Sequence, residues 1–126
     1  MLDNKTVTIL EHVINYCDQI QEAIDEFNLT VGKIHKSHPC RNSIAMPLMQ
    51  IGELVKKLSM DFRNKYPEVP WKEIAGARDY YAHGYQTMDP EMIWASAIHD
   101  TPMLKDFCQN IIKRTRQREN QEDYTR

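Results

Sequence analysis

The sequence predicts an all-α fold, an antiparallel bundle of four or five helices. Three observations predict it. Apolar residues recur at spacings of three and four along most of the chain. No segment shows the sustained two-residue alternation of a half-buried strand. Residues that cap or start helices, among them Ser43, Pro70, Asp89-Pro90 and Thr101-Pro102, stand where one apolar stripe gives way to the next.

The first helix is expected from about Asn4 to Phe27, on the stripe Val7, Leu10, Ile14, Cys17, Ile24 and Phe27, with one position skipped near Ile20. VGKIHKSHPCRN then reads as a polar connection. A second helix follows from about Asn42 to Phe62 on Ile44, Leu48, Ile51, Val55, Leu58 and Phe62, with Ser43 as N-cap and Pro47 in its first turn or at a kink. This helix is expected to pack antiparallel against the first. Pro70 suits the first position of a third helix running from Trp71 toward His83, which Gly84 would end as a left-handed cap. Asp89-Pro90-Glu91 starts a short fourth helix ending near Ile98, and Thr101-Pro102 starts a fifth. The stripe of the fifth is Met103 or Leu104, Phe107, Cys108, Ile111, Ile112 and Thr115. Residues 1–126 read as a single domain, with a polar tail that should fray from about residue 114.

Bulk properties limit the function. A chain of 126 residues with 41% hydrophobic and 27% charged residues can bury a core without staples. A net charge of −2 gives no whole-molecule attraction to nucleic acid, so a phosphate ligand would need a local cluster of Arg and Lys. Cys17, Cys40 and Cys108 are odd in number and follow no CxxC pattern, which suits reduced thiols in a cytoplasm. No basic leader precedes an apolar run, and no stretch is long enough to span a bilayer.

Chemistry concentrates in RDYYAHGY, Arg78 to Tyr85. On a helix Asp79 and His83 share a face, and Gly76 and Lys72 continue that face one and two turns back. A carboxylate beneath an imidazole orients the ring and favours its protonated form. Arg78 lies about 140° round a regular helix from His83, so the two converge only if the chain turns at Gly84. The plainer reading is a His that caps carbonyls, with Tyr80 and Tyr81 as packing residues.

Arg78, four residues, His83, one residue and Tyr85 reproduce the Rx4HxY pattern of the HEPN superfamily, including a polar residue, Asp79, after the Arg. PWKEIAGARDYYAHGYQTMDPEMIW resembles the HepT-like branch, and QIGELVKKLS resembles the Gly-Glu helix that precedes it. The likeness runs from about Asn4 to Ile112. It implies a HEPN-like helical bundle, a homodimer, and a cytoplasmic endoribonuclease toxin that uses no metal or other cofactor. It also implies a minimal nucleotidyltransferase antitoxin as partner, which in some members attaches AMP to the motif tyrosine, here Tyr85. The alternative within the family is a non-catalytic module that binds nucleotide or partner through the same residues.

The implied roles make chemical sense. RNA carries its own nucleophile in the 2′-hydroxyl, so cleavage needs a base for that proton and a cation for the phosphorane-like transition state. With an ordinary pKa of about 6.5, His83 is the side chain in the motif able to act as base near neutrality. Arg78 can present two N–H groups to the non-bridging oxygens, with Asp79 in support. Tyr85 can bond a phosphate or stack on a splayed base.

Other groups are weaker candidates. His35, His38 and Cys40 have zinc-binding side chains but lack a partner pair at a recognisable spacing, so a solvated loop is expected. Lys56, Lys57, Arg63, Lys65 and Lys72, and again Lys113, Arg114, Arg116 and Arg118, could line an RNA track or simply be solvated faces. Glu53 reads as a surface carboxylate paired with Lys56 or Lys57.

Overall fold

The computed structural model describes residues 2–76 and 89–125, for residues 121–125 the backbone alone. The described residues are helical, with no strand among them. In order they form α1 (Asn4–Glu26), α2 (Val31–Lys36), α3 (His38–Lys56), α4 (Met60–Lys65), α5 (whose described part is 71–76), α6 (Pro90–Ala95) and α7 (Thr101–Thr125).

α1 starts where the Asp3 carboxylate accepts a 2.7 Å hydrogen bond from the Thr6 amide, an N-cap the chain needs because its first amides lack intrahelical acceptors. It packs against α3 on one side and α7 on the other. Its ion pairs, Asp18 with Lys105 and Glu11 with Arg116, match rising numbers on α1 with falling numbers on α7, so the two helices are antiparallel. The buried face is Ile9, Leu10, Val13, Cys17, Ile20 and Ala23, which is rotated from the expected stripe. Ile20 belongs to the core, whereas Phe27 is the C-cap residue and 52% exposed. Asn28, at φ 48°, turns the chain out of the helix in the left-handed region that Asn tolerates.

The connection expected to be a polar loop is helix. Thr30 caps α2 by accepting the Lys33 amide, and Arg41 closes its far end by donating to the Ile34 and His35 carbonyls. Leu29 and Ile34 send it into the core.

α3 begins at Ser37, whose hydroxyl accepts the Cys40 amide, not at Ser43. Ser43 instead donates to the Cys40 carbonyl within the helix, and Pro47 lies buried in the helix interior. The core face is as expected, with Ile44, Leu48, Ile51 and Val55 buried. The helix stops at Lys56 rather than reaching Phe62. The Lys57 and Leu58 amides bond back three residues, Arg63 donates to the Val55 carbonyl, and Ser59 caps the separate α4.

Behind α4 the aromatic rings interlock. Phe62 and Tyr66 have centroids 5.1 Å apart, Tyr66 and Phe107 5.3 Å, and Trp71 and Phe107 5.5 Å. The tilted and edge-on arrangements are those aromatic quadrupoles favour. Trp71 is 6% exposed, and its indole N–H donates to the Tyr66 carbonyl at 2.9 Å.

The expected fourth and fifth helices are joined without a break. A π-helical segment, Ser96–Asp100, links α6 to α7. Pro102 has no N–H to give the preceding turn, and a wider turn is a known way for a helix to accommodate such a defect. The Thr101 amide reaches the Ser96 carbonyl, and its hydroxyl donates to the Ala97 carbonyl that a regular helix would have satisfied with the amide. Leu104, Cys108, Ile111 and Ile112 face the core, while Met103 is 68% exposed, which settles the stripe of α7 in favour of Leu104.

Candidate functional site

Arg78, Asp79, His83 and Tyr85, with Tyr80, Tyr81 and the Gly84 stop, lie within residues 77–88 and so outside the described residues. What is described is the scaffold on either side. On the N-terminal side, α5 is fixed by Trp71 and Ala75, both buried. Lys72 and Gly76, which the helical spacing places on the face of Asp79 and His83, are exposed. On the C-terminal side, the Asp89 carboxylate accepts the Glu91 amide at 2.9 Å, Pro90 occupies the first turn of α6, and Ile93 is fully buried. Glu91 also meets His35 Nε2 at 3.1 Å, which ties α6 to α2. The described residues on both sides of the motif are therefore anchored.

The secondary candidates are redistributed. His35 is in α2, and His38 and Cys40 are in the first turns of α3 rather than in a solvated loop. Among the described residues no three His, Cys, Asp or Glu side chains cluster as metal ligands. Arg63 is half-buried and committed to the Val55 carbonyl, so it does not extend a basic track. Arg116 is held at 3.2 Å by Glu11. Glu53 is half-buried, with its Oε2 shielded from solvent.

Two of the three cysteines, Cys17 and Cys108, offer no nucleophile. Burial pushes the Cys17 thiol up to about 12, with Asp18 adding to the shift, and burial likewise pushes Cys108 to about 12. Only the thiolate reacts, so both should be inert in the folded protein. At pH 8, a thiol-specific disulfide reagent is expected to titrate Cys40 first and to reach Cys17 and Cys108 only in denaturant. The unfolded thiols ionise near 9.0 while the folded ones hold their protons to about 12. The stabilisation is thus complete below pH 9 and lost as pH rises between these values.

An apolar cleft opening beside Gly76 and Met92 is the feature sequence reasoning missed. Its residues come from three separate stretches of chain, so no local pattern marks it.

The family model described as "Ribonuclease HepT-like" matches residues 9–111. "Putative RNase TTE0752" of Caldanaerobacter subterraneus subsp. tengcongensis is 31% identical over 105 residues, covering 83% of this chain and 92% of that protein. "Putative RNase MJ1216" of Methanocaldococcus jannaschii is 33% identical, covering 82% and 84%. "Probable ribonuclease HepT" of Thermococcus cleftensis is 40% identical over 63 residues, covering 50% and 57%. No solved structure matches the chain. A family match that spans most of the chain, including the whole Arg78 to Tyr85 segment, places this protein in the HepT-like ribonuclease family.

Proposed function

We propose that this protein is a metal-independent endoribonuclease in which His83 takes the proton of the ribose 2′-hydroxyl. Arg78 holds the charge that develops on the phosphate, Asp79 orients the site, and Tyr85 grips the RNA. The observation that carries this reading is the intact set of Arg78, His83 and Tyr85 inside a chain of the HepT-like ribonuclease family. Exposure of Lys72 and Gly76 supports it, since a helix continuing from α5 would turn the same face outward. Base and cation are both side chains, so purified protein should still cut single-stranded RNA in excess EDTA. Activity that disappears with EDTA and returns with a divalent ion would contradict the proposal.

The protein acts as a cytoplasmic toxin, as a homodimer with the two motif segments facing a shared cleft, and is neutralised by a minimal nucleotidyltransferase. No described helix is long and apolar enough to cross a membrane. Residues 1–126 form one domain, and the tail beyond about 114 frays in solution although α7 is helical through Thr125. Control falls on Tyr85: an AMP group there would bring an anion to the place that receives the RNA phosphate, engage Arg78 and repel substrate. Incubation with the nucleotidyltransferase, ATP and magnesium is expected to add one AMP mass to the tryptic peptide containing Tyr85. Label found by fragmentation on Tyr80, Tyr81 or Tyr124 instead, or inhibition without label, would mean control by another route. A non-catalytic binding module would leave RNA intact under all these conditions.

A further inference from the structure

The seam between α1 and α7 is packed at Cys17 and Cys108, both buried, and opens beside Ile112, the last buried side chain among those described on α7. Past that point α7 continues as helix along α1, with Glu11 meeting Arg116, although the sequence gives it no apolar face there and by itself should fray. Polar side chains in place of apolar ones leave a groove of about 490 Å³ between the two helices. Its floor is Ile112 and the half-buried Ile14. Its walls carry Lys113 and Arg116, with the amides of Gln117 and Asn120 one turn on. The Glu11 and Arg116 side chains are 50% and 67% exposed, and so exposed a pair adds little, so another anion can take the place of the carboxylate. Residues 113–120 set Lys113, Arg114, Arg116 and Arg118 against Glu119 in a chain of net charge −2, the local cationic cluster that a phosphate ligand requires of this molecule. Arg116 stands about 20 Å along α7 from Met103, which lines the same cleft as Gly76, so the groove is distinct from the described end of α5.

We propose that this groove is a second binding site for single-stranded RNA. Lys113 and Arg116 meet successive phosphates, an unpaired base lies on the floor of Ile14 and Ile112, and the Gln117 and Asn120 amides, each both donor and acceptor, meet its edge. A duplex would bring the phosphates but keep its bases paired and away from the floor. An acidic peptide would engage the two cations and leave the amides and the floor to water. A partner helix would find too little apolar surface, because Ile112 is 7% exposed and Ile14 is half-buried. A second copy seated symmetrically would set Lys113 and Arg116 against themselves. Phosphates along the groove would also hold helical a basic segment that its own composition leaves free to fray, as arginine-rich segments do when they bind RNA. The choice of RNA as occupant rests on the ribonuclease reading; the groove itself does not.

The test is fluorescence anisotropy with a labelled twelve-nucleotide strand that is 2′-O-methylated throughout, which keeps phosphates and bases but has no free 2′-hydroxyl for cleavage. The whole chain is expected to bind it at micromolar concentration in low salt. Lys113→Ala with Arg116→Ala should weaken binding at least tenfold and lower the slope of log affinity against log salt by about 1.4, since each phosphate contact on a single strand contributes about 0.7. Gln117→Ala with Asn120→Ala should weaken binding at least threefold and leave that slope unchanged. Both pairs are exposed, so the melting temperature should not move. In the wild type, the bound strand should slow hydrogen exchange of the backbone amides over residues 113–120. No binding, a salt slope indifferent to loss of the two cations, or unchanged exchange over residues 113–120 would overturn the proposal. Polyglutamate of equal length binding as tightly would overturn it too, by showing a site for an acidic protein segment. Protein that binds the strand through these residues yet never cuts ribose RNA would contradict the nuclease reading while bearing this one out.

Discussion

His83→Ala should lower RNA cleavage by about 10²- to 10⁴-fold while leaving the melting temperature nearly unchanged. Loss of a positioned general base removes a factor of that order. Of the motif side chains, Arg78 stays charged and the tyrosine phenols ionise near pH 10, so none replaces an imidazole near neutrality. Leu10, Ile20, Ile34, Ile44 and Ile93 are fully buried in the described core. Arg78→Lys should be nearly as damaging in spite of the conserved charge, because one ammonium cannot reproduce the paired N–H contact of a guanidinium with two phosphate oxygens. Initial rates on a labelled oligonucleotide, with thermal melts of each variant, check both.

Trp71→Ala should cost about 3–5 kcal/mol of stability, the range for truncating a buried tryptophan. At this chain length that lowers the melting temperature by about 10 °C or more. The indole stacks obliquely on Phe62 at 5.8 Å and edge-on against Phe107 at 5.5 Å, so its removal opens a cavity between α4, α5 and α7. It also leaves the Tyr66 carbonyl without its 2.9 Å donor. Trp71→Phe should recover most of the loss, since it keeps a ring for those contacts and forfeits the hydrogen bond. Chemical denaturation of the three proteins, read by circular dichroism, measures the difference. Trp71 begins the helix that leads into residues 77–88, so the alanine variant should also lose cleavage at temperatures where the wild type remains folded.

The helical class and the core of α3 were legible because Ile44, Leu48, Ile51 and Val55 repeat over enough turns to define a face. α2 was not, because six residues with Ile34 as their one buried side chain are too few to show a period. Pro47, read as a first-turn residue or a kink, sits in the middle of α3. Pro102 stands in the first turn of α7 as read, but a π-helical segment rather than a break precedes it. Local hydrogen bonds made this possible: Thr101 supplies its hydroxyl to the Ala97 carbonyl, a compensation that propensity does not encode. On α1, core packing chose Ile20 and Ala23 over Phe27, because the chain leaves the helix at Phe27. The motif was legible as chemistry, from residue types and spacing in Arg78 to Tyr85. The cleft was invisible because burial arises only when distant segments meet.

In the proposed mechanism the substrate supplies the nucleophile and the protein supplies base and cation. Two oligonucleotides of one sequence, one all-ribose and one 2′-O-methylated throughout, incubated with the protein in EDTA and analysed by mass spectrometry, test it most directly. The ribose strand should be cut to fragments ending in a 2′,3′-cyclic phosphate and beginning with a 5′-hydroxyl, and the methylated strand should stay whole. Cleavage of the methylated strand, or fragments carrying 5′-phosphates, would show that water attacks instead and would contradict the assignment of His83 and Arg78.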